Sequence, residues 1–398
     1  MPAGVYLSVP FCRTKCSYCN FASGVFSAAL FERYVERVCS DIIRAAGVAQ
    51  QMGGAFDPTV DSIYLGGGTP SILPIAQLER LFVTISQNFE ILPDAEITVE
   101  CAPGTLPPPL VEALCRQGVN RVSMGVQSFT DAESASVGRQ HKRTTVMEDI
   151  ARLRAAGISN INVDLIAGLP HQTPASWEFS LDEMLASSAP HASVYMLEVD
   201  EDSRLGRELI AGGARYHAHF VPDEDLVADL YESACDRLNA GGLAQYEISN
   251  FARAGFESCH NLKYWTRQPY WGFGVDAHSM LPAVEAGAGV RFSTADSLDE
   301  FLAGQPLKIS PVSRRAAIEE AFFLGLRLNR GVNLREIEAE FGPLAAGFSE
   351  LIGELKDGGM IEQEEDVIRL TARGRLLSNE VFERFLSAPE SVGQGLDL

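Results

Sequence analysis

The chain is expected to fold as an α/β protein: a partial TIM-like (β/α)6 barrel followed by a winged-helix-like α+β domain. Three observations lead to this reading. Apolar stretches of strand length alternate with segments of helical periodicity up to about residue 200. The glycine-rich and polar motifs fall just after those strands, where TIM-like barrels carry their chemistry. Beyond about residue 225 the alternation gives way to helices and a short hairpin.

In order, "VYLSV" reads as a buried strand, and "LFERYVERVCSDIIRAAGVA" has a helical apolar face. "DSIYLGG" is a strand entering a glycine turn, and "IAQLERLFVTISQNF" a helix. "AEITVEC" is the third strand, and "LPPPLVEALCRQGV" opens on prolines that suit a helix start. "NRVSMGVQSF" and "NINVDLIAGLP" are strands flanking the helix "TTVMEDIARLRAAGI". The helix "PASWEFSLDEMLASS" leads to a sixth strand, "HASVYMLEV". Short strand-to-strand crossovers through helices imply a parallel sheet.

The barrel is assigned to residues 1–225. Residues 226–300 hold a helix and an aromatic-rich connecting segment with an H-N-x-x-Y-W motif. Within and just beyond it, 285–310 reads as a linker of weak order. Residues 301–398 form the winged-helix-like domain, with a frayed end over the last dozen residues.

Composition narrows the function. A net charge of −21 repels phosphate backbones, and Arg314-Arg315 and Arg369 to Arg375 are too thin to make a basic patch. The helix before the wing would carry Glu350, Glu354 and Asp357, so nucleic acid is not an expected partner. No secretory signal or membrane-length apolar run is evident, so a cytoplasmic protein is expected, with membrane contact at most peripheral. In that compartment clustered cysteines point to metal or redox chemistry.

Cys12, Cys16 and Cys19 form C-x3-C-x2-C, and Phe21 stands where a fourth cysteine could follow. A structural zinc site wants four protein ligands. A [4Fe-4S] cluster takes one cysteine per iron, so three leave one iron open for an exchangeable ligand. The alternatives are an incomplete zinc site or incidental cysteines. Of the others, Cys39, Cys101, Cys115 and Cys235 read as small buried hydrophobes.

The triad with "GGGTPS", "RVSMGVQSF", "GRQHKR", "NINVDLIAGLPHQT", "YEISNFAR", "CHNLKYW" and "YWGFGVDAHS" resembles the coproporphyrinogen dehydrogenase-like branch of the radical S-adenosylmethionine (SAM) proteins. The resemblance spans nearly the whole chain and is nearest to the heme chaperone group. It implies that Cys12, Cys16 and Cys19 hold a [4Fe-4S] cluster whose open iron is chelated by SAM. It implies that Tyr6 lies over SAM and that Gly67, Gly68 and Thr69 meet its methionine part through the backbone. The physical reading agrees, because glycine lets a chain approach a ligand closely and offers N–H and C=O groups to its amino and carboxylate ends. Glu100 ends a strand where a carboxylate could meet a cationic or hydroxyl part of SAM. Gln127, Arg139 and Asp164 correspond to family positions lining the cofactor site, some of which meet a second SAM in the dehydrogenases.

His260, Asn261, Tyr264 and Trp265 make up the motif that the resemblance ties to heme. Imidazole is a common axial ligand, and Trp271 and Phe273 could help to cover a macrocycle. Cys259 would add a thiolate or a covalent handle. An ordinary hydrogen-bonded histidine among core aromatics is the alternative. His141 and His278 are weaker candidates, while His171, His191, His217 and His219 read as loop or helix-surface residues without chemical role. Two departures stand out: Phe21 with only eleven residues before Cys12, where the dehydrogenases have a fourth cysteine and a long leading segment, and Asn20 in place of the chaperones' Asp. The expected function is therefore heme binding and transfer to an acceptor protein, with a homodimer open. The alternative is an oxygen-independent coproporphyrinogen III oxidase that decarboxylates propionates through a 5′-deoxyadenosyl radical.

Overall fold

The computed structural model describes residues 1–284 and 289–386, so the expected frayed end lies outside the described residues. Six parallel strands follow in chain order: β1 (Ala3–Val9), β2 (Thr59–Gly67), β3 (Glu90–Cys101), β4 (Arg121–Gln127), β5 (Asn160–Ala167) and β6 (His191–Met196). Helices cover the outside. The helix Ala28–Ile43 buries Tyr34, Val35, Val38, Cys39 and Ile42, one stripe of a 3.6-residue period. Val5, Leu7 and Val9 of β1, all fully buried, alternate with Tyr6 and Ser8 on the other face.

The sheet stays open, and it is larger than six strands. β7 (Ala244–Gln245) and β8 (Asn250–Ala252) extend it beyond β6, with β8 antiparallel to β6. On the opposite edge β9 (Tyr270–Gly274) joins β1 in parallel, and β10 (His278–Pro282), β11 (Gly289–Ser293) and β12 (Lys308–Val312) continue antiparallel. Among the described residues twelve strands thus form one sheet around the barrel core. Gly272 permits the β9–β10 crossing, where a Cβ would collide with the His278 carbonyl. The expected linker at 285–310 is corrected in its described part: it contains β11, the helix Leu298–Ala303 and the start of β12, with Phe292 and Phe301 buried. These pieces are too short to signal themselves by periodicity, and they acquire a buried face only by pairing with β10 and β9.

The C-terminal part builds a second core. The helix Arg314–Gly325 precedes β13 (Val332–Asn333), the helices Leu334–Phe341 and Ser349–Asp357, the hairpin β14 (Ile361–Glu364) and β15 (Val367–Leu370), and the helix Ser378–Leu386. The three strands form an antiparallel sheet in the order β13-β15-β14, the wing expected from the sequence. Phe322 packs on Phe348 and Phe385 with ring centroids 4.9 and 5.0 Å away. Asn333 caps its helix by accepting from the Arg335 and Glu336 amides. Among the described residues no helix is long and apolar enough to cross a membrane.

Trp271 on β9 is 1 % exposed, stacks on Phe273 at 5.8 Å and meets Phe56 and Phe89 edge-on. Trp271→Ala is expected to cost about 3–5 kcal/mol, read as a lower urea midpoint. A loss below about 1 kcal/mol would mean that β9 is not integral to the barrel wall.

Candidate cofactor site in the barrel lumen

The cysteine loop leaves the C-terminal end of β1 and is tied on several sides. Cys12 N–H donates to the Gly24 carbonyl at 2.8 Å and Gly24 N–H to Pro10, which closes the loop on itself. Ser17 N–H reaches Val137, and Leu205 N–H reaches Ser17, so segments after β4 and β6 hold its middle. Cys16 is buried, while Cys12 and Cys19 are half-buried. Thr69 Oγ1 lies 3.8 Å from Cys12 Sγ, and Ser23 Oγ 3.9 Å from Cys19 Sγ. Burial raises the Cys12 thiol above its ordinary range. Among the described residues no three His, Cys, Asp or Glu side chains converge as ligands of one ion. Asn20 donates to Asp200 at 2.9 Å and pins the loop's end to the segment after β6. Phe21 is two-thirds exposed.

Below the loop, one ring of residues faces the lumen. In β1 and β4 a run of buried residues breaks once, at Tyr6 and Gly125; β5 is broken mid-strand at Asp164, and β3 near its end at Glu100. Tyr6 and Tyr64 are register partners, as are Gly125 and Asp164. Tyr64 donates to Glu100 at 2.9 Å. Burial first, and then the Asp164 charge, push the Glu100 carboxyl up to about 7. Asp164 is also raised, chiefly by burial, while Asn162 and Ser123 donate to it at 2.7 and 3.3 Å.

Gln127, Arg139 and Asp164 meet around Gly125. A Cβ there would lie 3.1 Å from Gln127 Nε2 and 3.2 Å from Arg139 Nη2, so glycine keeps the space open. Arg139 also approaches Tyr18 of the cysteine loop, Nη2 to hydroxyl 3.5 Å, and its buried Nε has no partner among the described residues. It therefore links the loop to the lumen. Sequence reasoning missed Tyr18 and Tyr64. Tyr64 was within reach, because it lies in the strand "DSIYLGG" just before the glycine turn.

The glycine turn differs from its expected role in one respect. Gly68 N–H donates to Val9 and Thr69 N–H to Phe11, at 2.8 and 2.7 Å. These two amides are spent within the protein, so at Gly68 and Thr69 the backbone can offer a ligand only carbonyl oxygens. A Cβ on Gly68 would lie 2.7 Å from two backbone oxygens of the β1 end. The glycine is thus required first by the chain's own packing.

His260 lies elsewhere, at the N-terminal end of the parallel strands. The helix Cys259–Trp265 docks its N-terminus on Glu96, whose carboxylate accepts from the Cys259 and His260 amides at 3.2 Å each. Lys263, 3 % exposed, reaches Asp61 at 2.6 Å and the Pro2 carbonyl at 3.0 Å. His260 is 1 % exposed, with Nδ1 3.0 Å from Ser62 Oγ and Nε2 2.9 Å from the Tyr264 hydroxyl. Burial holds its conjugate acid near 3, so the ring is neutral. Both ring nitrogens are engaged, and a metal could reach one only after a bond opens. Cys259 is at the surface, yet partial burial and then Glu96 and Asp61 push its thiol up to about 11, so no thiolate is on offer at neutral pH.

The remaining histidines divide. His191 corrects its surface reading: it is fully buried, with Nδ1 2.6 Å from Asn162 and Nε2 2.9 Å from Tyr246. His141 Nε2 meets the Val126 carbonyl at 3.1 Å, and His278 is exposed beside Asp276.

A Radical SAM superfamily model matches residues 6–184, and a HemN C-terminal domain model matches 312–377. Over 391 residues the chain is 33 % identical to the heme chaperone HemW of Lactococcus lactis, covering 97 % of both chains. It is 34 % identical over 389 residues to the heme chaperone HemW of Bacillus subtilis, covering 96 % of this chain and 98 % of that one. The solved structure of coproporphyrinogen III oxidase HemN from Escherichia coli superposes with a TM-score of 0.82 at 24 % identity, over 97 % of this chain and 90 % of that one. At that identity the likeness is one of fold.

The lumen carries a pH signature. Folding raises Glu100 from 4.5 to about 7, so its proton is held more tightly in the folded chain than in the unfolded one. The resulting stability is whole below pH 4.5 and is lost as pH rises through about 7. The urea midpoint of Glu100→Gln relative to the parent is therefore expected to climb between pH 5 and 8. Parallel midpoint curves across that window would refute the raised carboxyl.

Proposed function

Because this chain belongs to the HemW family of radical SAM proteins, we propose that it binds a [4Fe-4S] cluster, SAM and heme, and passes the heme to an acceptor protein. The observation that carries the reading is identity above 30 % along almost the whole length of proteins named as heme chaperones.

The residues suit the groups this family implies. Cys12, Cys16 and Cys19 would hold the cluster. Their thiols sit on one closed loop and do not share a single ion position, which suits a multi-iron centre better than one zinc. The open space at Gly125, the partnerless Arg139 Nε and the carbonyl-lined turn at Gly67, Gly68 and Thr69 suit an amino-acid end that carries both an ammonium and a carboxylate. When bound, the cluster supplies an iron corner that such an end can chelate, and a reducing electron.

This chain's own residues then divide the work. The turn's carbonyls accept from the ammonium group, and Arg139 faces the carboxylate side beside Gln127. Tyr6 and Tyr64 offer flat apolar faces and exclude water. Glu100 and Asp164 place negative charge where a cation could rest, and pairing with a cation would return Glu100 to its ionised form. For the oxidase reading, fold is the main support.

In anaerobically reconstituted protein, Cys16→Ala is expected to lose the brown cluster absorbance together with iron and sulfide, and retention of both would remove the ligand assignment. Titrated hemin is expected to give a saturable Soret band. Incubation with SAM, reductant and coproporphyrinogen III is expected to leave the propionates intact; a vinyl-bearing product would establish the oxidase instead.

A further inference from the structure

Outside the lumen, the cysteine loop forms one wall of a second cleft, of about 420 Å3. Arg13 and Lys15 line it from the loop, and Arg204, Arg215, Tyr216 and His217 from the segment after β6. The chain carries a net charge of −21, yet none of these four cations is paired with a carboxylate among the described residues. Lys15 Nζ donates to the Phe21 carbonyl at 3.0 Å, Arg204 to the Lys15 carbonyl at 3.4 Å, and the Arg215 guanidinium lies 5.4 Å from the centre of the Tyr216 ring.

The wall is built. Glu208 accepts from the amides of Arg215 and Tyr216 at 2.8 Å each and of Ala218 at 3.2 Å, which fixes the segment's backbone. His217 follows with φ 61°, and His171, on the loop after β5, has φ 69°. Two non-glycine residues in left-handed backbone, held against each other, mark a constrained spot. His171 Nε2 lies 2.9 Å from His217 Nδ1, and the His171 ring stacks on Phe220 at 4.1 Å. Among the described residues the only hydrogen bond to the His217 ring is the one shared with His171, at Nδ1. In the tautomer in which His217 Nδ1–H donates to His171 Nε2, the ring is oriented and Nε2 keeps its lone pair, the form a metal-ligating histidine takes.

Resting on the heme reading above, we propose that this cleft seats the propionate edge of the heme and that His217, oriented by His171, is an axial ligand to its iron. Four unpaired cations meet two carboxylates, the half-buried Tyr216 ring meets the ring edge, and the His217 imidazole meets the metal. His260 has the opposite character: it is buried, with both nitrogens engaged. Because Arg13 and Lys15 belong to the cysteine loop, heme seated here would share a wall with the cluster.

The test titrates hemin into the cluster-loaded full chain and follows the Soret band and the iron spin state. His217→Ala is expected to shift the Soret maximum and weaken hemin about tenfold or more, with His171→Ala intermediate and His217→Gln controlling for folding. Arg13→Glu with Arg215→Glu is expected to weaken both hemin and metal-free protoporphyrin IX by at least about tenfold, but not the porphyrin dimethyl ester, which lacks the charges. Saturable hemin binding that is unchanged in all these variants, or that is lost only in His260→Ala, overturns the cleft and leaves the heme reading standing. No saturable binding by the parent chain overturns the heme reading itself.

Discussion

An open parallel sheet can surround a polar lumen only if its lower mouth is stopped, and here the stopper is a helix end gripped by one carboxylate. Glu96 accepts the first amides of the helix Cys259–Trp265 and faces Arg121 across 3.8 Å, both side chains almost fully buried. A buried carboxylate is costly alone, and the two amides, the guanidinium and the helix dipole together offset that cost. The seat fixes what lies above it: His260 stands under Tyr6, with ring centroids 6.1 Å apart, and Tyr64 lies 5.4 Å from the same imidazole. A motif tied by resemblance to heme therefore has a complete structural role at the barrel floor.

Above the floor, the lumen is electrostatically unfinished. Glu100 and Asp164 are both raised, while the Arg121 and Arg139 charges lower Asp164 only in part. Unlike charges in such a space attract strongly and like charges are costly. A cationic ligand would relieve the carboxylate pair, and the turn at Gly68 and Thr69 has only carbonyl acceptors left. The protein has thus set aside stability where binding can return it.

The cysteine loop is shared between two environments. Its inner side meets the lumen through Tyr18 and Arg139, and its outer side forms part of the basic cleft. The loop is held by hydrogen bonds to segments after β4 and β6, Ser17 N–H to Val137 and Leu205 N–H to Ser17. The C-terminal domain has a separate aromatic core, yet it touches the barrel through buried charge: Glu320 pairs with Arg267 and Arg291, at 3.4 and 2.8 Å.

Local pattern carried the six parallel strands, their helices, the C-terminal wing and the cysteine triad, because alternation and ligand spacing are properties of neighbouring residues. The residues proposed for SAM were also within reach, since strand ends collect in one place whenever a barrel forms. Strands β7 to β12 were not legible: they are two to five residues long and become buried only against partners distant in the chain. Nor were the buried state of His191, the amides already spent at Gly68 and Thr69, or the meeting of Arg13 with Arg204 and Arg215 across some 190 to 200 residues, while for His260 the sequence left the buried, hydrogen-bonded state as one of two alternatives. Which hydrogen bonds remain free, and which charges remain unpaired, depends on what the folded chain brings opposite each group. Residue order can nominate such a group, and only the packed molecule decides whether anything is left for a ligand.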